Sequence, residues 1–544
     1  MNLPHVVLLV LGLYFTASFL YVVFWEKNHV ETSDRSIIAL VSSFKLALCI
    51  SPLPAFFLGL EYEDAYVWSA NALFLDKYQG FGRENFITSS CLFGSVDHCI
   101  YSGSFSSHSI LFPTILWGIS KITGFSPFAV SWTNLFFSIL VIGRLYKVSL
   151  LLFRNRIYAC VTVLILVTTP IISVFHTTGF VETFSSYVLL SCLHYYLAYD
   201  QADSKRWPQL TLFIASFVIA VFTKRENLLL VVIPFIGLLV RLIQKRPHKA
   251  GRLFAEAVAL TVISIIYLAT TGILLTEIRE AADIGGPTFS VSYVLRLAPS
   301  LFEALSNFNW FSLCSVFIFV GFLLAVSCLR RVPMLLYPGI LSLSYLVVYL
   351  LHYRSYYFVT FGDVTSTEWL RYLTNVYPIL CLMGGYTLYM LSQIRLTRNW
   401  LMPLLALVLV AVQVWKVPEL QRQLYQEESE IRITPVTETL ELIGQKGELI
   451  ITDKPLLFQI FGGPHLELLD VYSIKSEIGS HPMKEFLIKY DKIYFVRRKD
   501  FDSDADRKRF PNYRSVLDAF EARKIKDLGR GHDLYELKMK GSPD

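Results

Sequence analysis

Residues 208–243 read PQLTLFIASFVIAVFTKRENLLLVVIPFIGLLVRLI. Two apolar runs, 208–223 and 228–243, flank four polar residues, Lys224-Arg225-Glu226-Asn227. The first run holds no charge and the second only Arg241, near its far end. A bilayer core demands a nearly uncharged helix of roughly this length, because no water is there to meet polar groups. Two such runs joined by so short a turn form a hairpin of membrane helices.

Working outward, the same signal recurs at 3–25, 36–58, 127–147, 157–175, 180–199, 253–275, 309–329, 333–351, 372–392 and 399–416. The run 109–123 is too short to count as a span. The pattern predicts a polytopic α-helical membrane protein with about a dozen transmembrane helices. Composition agrees. Of 544 residues, 54% are hydrophobic and 17% charged, and mean hydropathy is +0.49, whereas soluble domains carry about 25% charged residues. The run 3–25 follows no Lys or Arg and lacks a small-x-small cleavage site, so it reads as an uncleaved first helix. A net charge of +6 without a basic stripe excludes nucleic acid as a partner.

The loops sort by charge. Lys27 and Arg35, then Arg144 to Arg156, Lys205 and Arg206, Lys245 to Arg252, Arg330 and Arg331, and Arg395 and Arg398 fall in alternate connections. The positive-inside rule makes these cytoplasmic. Residues 59–126, 176–179, 224–227, 276–308 and 352–371 are then external. The predicted domains are a membrane domain over 1–416, with long external loops 59–126 and 276–308, and an external soluble α/β domain over 417–544. In that tail, strands are predicted at Gly447–Thr452, Leu466–Val471, Lys492–Val496 and His532–Lys538. Helices are predicted at Lys454–Phe461, Pro482–Tyr490 and Tyr513–Ala522.

Ionisable residues near membrane depth are costly, so each is a candidate for function. Glu61, Glu63 and Asp64 stand where the second span emerges. Glu182 opens the fifth, Lys224, Arg225 and Glu226 fill the hairpin turn, and Arg371 opens the eleventh. The charge topology puts all of them on the external face. Lys224 and Arg225 break the positive-inside pattern there. Neighbouring carboxylates raise one another's pKa, so one can serve as a base towards a hydroxyl. Arg and Lys at the same depth suit a lipid phosphate.

These residues match a known pattern. The arrangement resembles the GT-C fold of membrane glycosyltransferases, which use polyprenyl-phosphate sugars as donors. Glu63-Asp64-Ala65-Tyr66 looks like that family's acidic pair followed by aromatic residues. TKREN, residues 223–227, is similar to a short turn carrying a basic residue in many members. Arg371-Tyr372, with Pro378 following, resembles a late feature of the aminoarabinosyl-, mannosyl- and arabinosyl-transferase branches. An external tail with a strand such as IITDKP, residues 450–455, is also similar. The extra span 3–25 departs from the pattern.

The resemblance implies an inverting sugar transfer at the external face. Asp64 by preference, or Glu63, would take the proton of an acceptor hydroxyl; Glu61 beside them leaves the base ambiguous. Lys224, Arg225 and Arg371 would stabilise the polyprenyl-phosphate leaving group, and Glu182 would orient the sugar or the basic residues. The implied partners are a polyprenyl-phosphate-linked donor, a lipid, glycan or protein acceptor, and membrane lipids. Some members use a divalent metal and others none; one acidic cluster leaves that open, and no metal ligands are assigned. Short loops and a compact tail point to a bacterial inner (plasma) membrane, with the tail periplasmic or extracellular in the cell envelope. A transporter or flippase for a lipid-linked or anionic substrate is the competing class. It predicts inverted repeats with broken helices, and no repeat is present in the sequence.

Cys91 and Cys99 share an external loop, where a disulfide between them would persist. Asp97, His98 and His108 lie near them without a diagnostic metal spacing. Lys45, inside the second span, reads as a side chain snorkelling towards the cytoplasmic face. His176 reads as a surface histidine.

Overall fold

The computed structural model describes residues 3–21, 32–50, 111–124, 129–176, 181–201, 207–244, 250–271, 287–328, 331–352, 370–393, 401–444, 447–452, 455–462, 466–470, 487, 490–498, 520–529 and 531–539. They divide into two compact units, one built mainly from Ser131–Gln421 and the other containing Arg422–Asp544.

The first unit is helical throughout, as its apolar runs require. Helices Leu3–Leu20, Thr32–Ile50, Ala129–Phe153, Glu182–Gln201, Trp207–Thr223, Ala250–Thr271 and Arg371–Ser392 overlie predicted spans. Among the described residues, three helices are long and apolar enough by themselves to cross a membrane: Ala129–Phe153, Arg225–Ile243 and Pro333–Leu351. The predicted span 157–175 breaks into Arg156–Val167 and Pro170–Phe175. Proline lacks the N–H that would continue the first helix, and it suits the first turn of the second. Downstream of the hairpin turn the chain is first a 3-10 helix, Arg225–Val231, and becomes α-helical only at Val232–Ile243. The surface helix expected within 276–308 is Val291–Ser306. The short run 109–123, which belongs to the second unit, is also a helix, Leu111–Thr123. The helix Leu401–Leu442 runs far beyond the expected end at 416.

Helices in an apolar medium gain little from burying apolar area, so close backbone approach at small residues dominates. Helices Cys314–Cys328, Arg156–Val167 and Arg371–Ser392 meet in this way. A Cβ on Gly321 would stand 2.2 Å from the Met383 carbonyl oxygen. One on Gly385 would stand 2.0 Å from Thr162 Oγ1 and 3.1 Å from Thr162 Cα. Arg144, expected in a basic loop, instead lies inside Ala129–Phe153 and is buried, because the helix outruns the apolar segment. Its guanidinium donates to Tyr195 and Ser18 hydroxyls, contacts His194 Nδ1 and sits over the Tyr195 ring.

The second unit contains a five-stranded sheet in the order β2-β1-β3-β5-β4. β1 (Glu448–Thr452), β2 (Glu467–Asp470) and β3 (Lys492–Arg498) are parallel, and the helix Pro455–Gly462 makes the crossover from β1 to β2. Leu449, Ile450 and Ile451 are all buried, the continuous apolar strand that a parallel sheet requires. β5 (His532–Met539) pairs antiparallel with both β3 and β4 (Phe520–Gly529). The helix expected at Tyr513–Ala522 ends in strand, since Phe520 and its successors form β4. That strand is an exposed, charged edge, FEARKIKDLG, so the apolar alternation that marks a strand is missing. Its pairing is set instead by the turn to β5, where Gly529 and Gly531 take φ of 70° and 80°.

Gly321→Ala is expected to lower the unfolding temperature of the detergent-solubilised protein, since a backbone carbonyl cannot move aside alone. Gly339→Ala is expected to be neutral or stabilising by up to about 1 kcal/mol, because its Cβ meets nothing within 4 Å. Equal melting shifts for the two would contradict this account of packing.

Candidate functional site

Among the described residues, Lys224 and Arg371 of the sequence pattern meet at one tyrosine ring, and Glu182 pairs with that lysine. Glu182 opens the helix Glu182–Gln201 and is 3% exposed. Lys224 caps the 3-10 helix that begins at Arg225. Its Nζ stands 2.9 Å from Glu182 Oε1 and 3.6 Å from Glu226 Oε1. Burial alone would pull the lysine pKa down; the Glu182 and Glu226 carboxylates more than offset it and hold the ammonium above its ordinary range.

Arg371 opens the helix Arg371–Ser392 and is 5% exposed. The Tyr372 ring lies 4.8 Å from Lys224 Nζ and 5.2 Å from Arg371 Cζ, measured to its centroid. Both cations are thus in range of one aromatic face, and Tyr349 packs on the same ring at 5.7 Å. Three cations, Lys224, Arg225 and Arg371, gather here with two carboxylates, Glu182 and Glu226, in a mostly buried setting. Coulombic interactions are strong there and water competes poorly. Cationic groups gathered in such a setting are suited to an anion.

Of the residues singled out from the sequence, Glu182 and Lys224 meet directly, Arg371 joins Lys224 at the Tyr372 ring, and Arg225 begins the helix that Lys224 caps. Glu61, Glu63, Asp64, Cys91 and Cys99 lie outside the described residues, as do Asp97, His98 and His108. Among the described residues, no group of three His, Cys, Asp or Glu side chains is placed to hold a metal. Cys160, Cys192, Cys314, Cys328 and Cys381 are free thiols.

The structure also adds residues. Lys45 does not snorkel: it is 1% exposed, and its ammonium donates to the Ser173 carbonyl at 3.1 Å. His176, one helical turn beyond Ser173, is buried rather than on the surface. A lone Lys in a span was the available signal, and its depth depended on a packing partner. Asn227 and Asn375, both fully buried, lie just beneath the charged cluster. Asparagines in otherwise apolar segments were the signal for them.

Similar proteins share the architecture. A family model described as dolichyl-phosphate-mannose-protein mannosyltransferase matches residues 107–270, which include Glu182, Lys224 and Arg225. No curated protein sequence matches the chain. Among solved structures, ArnT from Cupriavidus metallidurans bound to undecaprenyl phosphate is similar over 90% of this chain and 97% of its own, with TM-score 0.57 and 13% identity. The apo oligosaccharyltransferase of Archaeoglobus fulgidus is similar over 93% of this chain and 75% of its own, with TM-score 0.53 and 9% identity. The archaeal oligosaccharyltransferase AglB from Archaeoglobus fulgidus, in complex with an inhibitory peptide and a dolichol-phosphate, gives 95%, 75%, 0.53 and 9%. The fold is therefore that of the GT-C membrane proteins, as the sequence motifs implied. With the family match, the chain is an integral membrane glycosyltransferase of that fold.

Glu182→Gln and Lys224→Met are each expected to destabilise the protein by about 3–5 kcal/mol, the usual cost of leaving half of a buried ion pair. Combining them should cost less than the two single losses together. Thermal unfolding of the four proteins measures this, and strict additivity would refute direct coupling.

Proposed function

We propose that this chain transfers a sugar from a polyprenyl-phosphate donor to an acceptor hydroxyl at the external membrane face. The observation that carries the reading is the convergence of Glu182, Lys224, Glu226 and Arg371 around Tyr372, in a fold whose relatives include an enzyme crystallised with undecaprenyl phosphate.

In this reading the guanidinium groups of Arg225 and Arg371 grip the lipid phosphate as planar forks. Lys224 adds its positive charge and holds Glu182 and Glu226 in place. Asp64 or Glu63 takes the proton of the acceptor hydroxyl, with Glu61 as a third candidate. The hydroxyl oxygen attacks the anomeric carbon opposite the phosphate, a new glycosidic bond forms, and the bond from that carbon to the phosphate oxygen breaks with inversion. The electron pair leaves on the polyprenyl phosphate, where the arginines stabilise the developing charge. The associated topology has about a dozen spans, with the domain 417–544 on the periplasmic or extracellular side of a bacterial inner membrane. Cys91 and Cys99 form a disulfide in the loop 59–126.

Purified protein given a panel of polyprenyl-phosphate sugars is expected to release the lipid phosphate from at least one. Asp64→Asn or Glu63→Gln is expected to lower that rate about a hundredfold or more, and Arg371→Met to weaken donor use. A folded protein that releases no lipid phosphate from any donor would overturn the proposal. Full activity in both carboxylate variants would overturn the assignment of the base.

A further inference from the structure

Asn227 closes the turn that carries Lys224 and Arg225 and is wholly buried. A primary amide offers two donors and two acceptor positions, and all four are used. Its Nδ2 donates to Ser185 Oγ and to the Ala220 carbonyl, each at 2.8 Å. Its Oδ1 accepts from Tyr345 OH at 2.8 Å and from Asn375 Nδ2 at 3.1 Å.

The partners fall at a consistent offset from the charged cluster. Ser185 lies three residues beyond Glu182 on one helix. Asn375 lies four residues beyond Arg371 on another. Asn227 itself lies three residues beyond Lys224. Residues three or four apart share a helix face. One amide thus stands a single turn below each of three elements that carry the charges. Ser186 Oγ, which donates to the Thr374 carbonyl at 2.7 Å, joins two of those elements again. Tyr345 differs, because its helix, Leu336–Leu351, bears none of Glu182, Lys224, Arg225 or Arg371.

We infer that the Asn227–Asn375 amide pair is a positioning device that sets Lys224 and Arg371, both in range of the Tyr372 ring, at the separation needed to hold one phosphate. The inference rests on the proposed reading of the site. Its physical basis is that low-dielectric surroundings make each of these bonds costly to break. A bidentate clamp also loses most of its grip when its two halves shift by a fraction of an ångström to an ångström.

The discriminating comparison uses Asn375→Leu and Tyr345→Phe. Each removes one hydrogen bond to the same Asn227 oxygen, but only the first unties an element that carries a charge. Binding of undecaprenyl phosphate to the full-length protein in detergent is measured alongside its melting temperature. Asn375→Leu and Asn227→Ala are expected to raise the Kd about tenfold or more, and Tyr345→Phe to stay within about twofold at a similar melting temperature. Asn375→Ala, which removes the donor without adding a charge, serves if the leucine variant does not fold. Equal weakening by Asn375→Leu and Tyr345→Phe would make the hub merely structural and overturn the inference. Wild-type affinity in Asn375→Leu would also overturn it, while leaving the site reading intact. Failure of the wild-type protein to bind the lipid phosphate would overturn the site reading and the inference with it.

Discussion

A buried lysine between two carboxylates constrains everything around it. Lys224 cannot leave its position 2.9 Å from Glu182 without stranding charge in a medium that solvates it poorly. That pair joins the start of one helix to the end of another. Through Tyr372 it also reaches the start of a third. The hairpin turn is therefore held from several sides, and its short length leaves little slack to relax any of them.

Around this anchor, two packing rules operate at different depths. Near the charged end, polar side chains bond one another across helices, and Asn227 uses all four of its hydrogen-bonding positions. Farther along, glycines bring backbones into contact, as Gly321 does against Met383. Both rules answer the same condition: helices surrounded by apolar material gain little from hiding apolar surface. Specific hydrogen bonds and close backbone approach must supply the selectivity. The cage of tyrosine, serine and histidine around Arg144 follows the first rule at another place in the unit.

Legibility in the sequence followed the local character of each signal. Apolar runs mark helices because burial in lipid leaves no alternative for the backbone, so most helices of the first unit were found within a few residues. β1, β2, β3 and β5 were legible from apolar content, whereas β4 was not, because an edge strand with charge on both faces has no alternation to read. The break before Pro170 needed only the chemistry of proline but was hidden by the apolar residues that continue on both sides of Thr168 and Thr169. Lys45 illustrates the opposite limit. Nothing near it in the chain reveals that its ammonium meets the Ser173 carbonyl, so its depth could not be inferred from its place within a span.

The site divides along the same line. Sequence alone determined which residues were out of place: Glu182, Lys224, Arg225 and Arg371 are charges at the margins of apolar segments, and that cost is a property of each segment by itself. It determined the class of fold as well, because span pattern and motif spacing are one-dimensional quantities. Only the tertiary structure decided which of those charges pair, that one tyrosine ring serves two cations, and that a single asparagine gathers the helices beneath them. Those are contacts between side chains 148 residues apart, from Lys224 to Tyr372 and from Asn227 to Asn375, and no local preference specifies them. They follow from the packing of several helices at once, which is a condition on the whole unit.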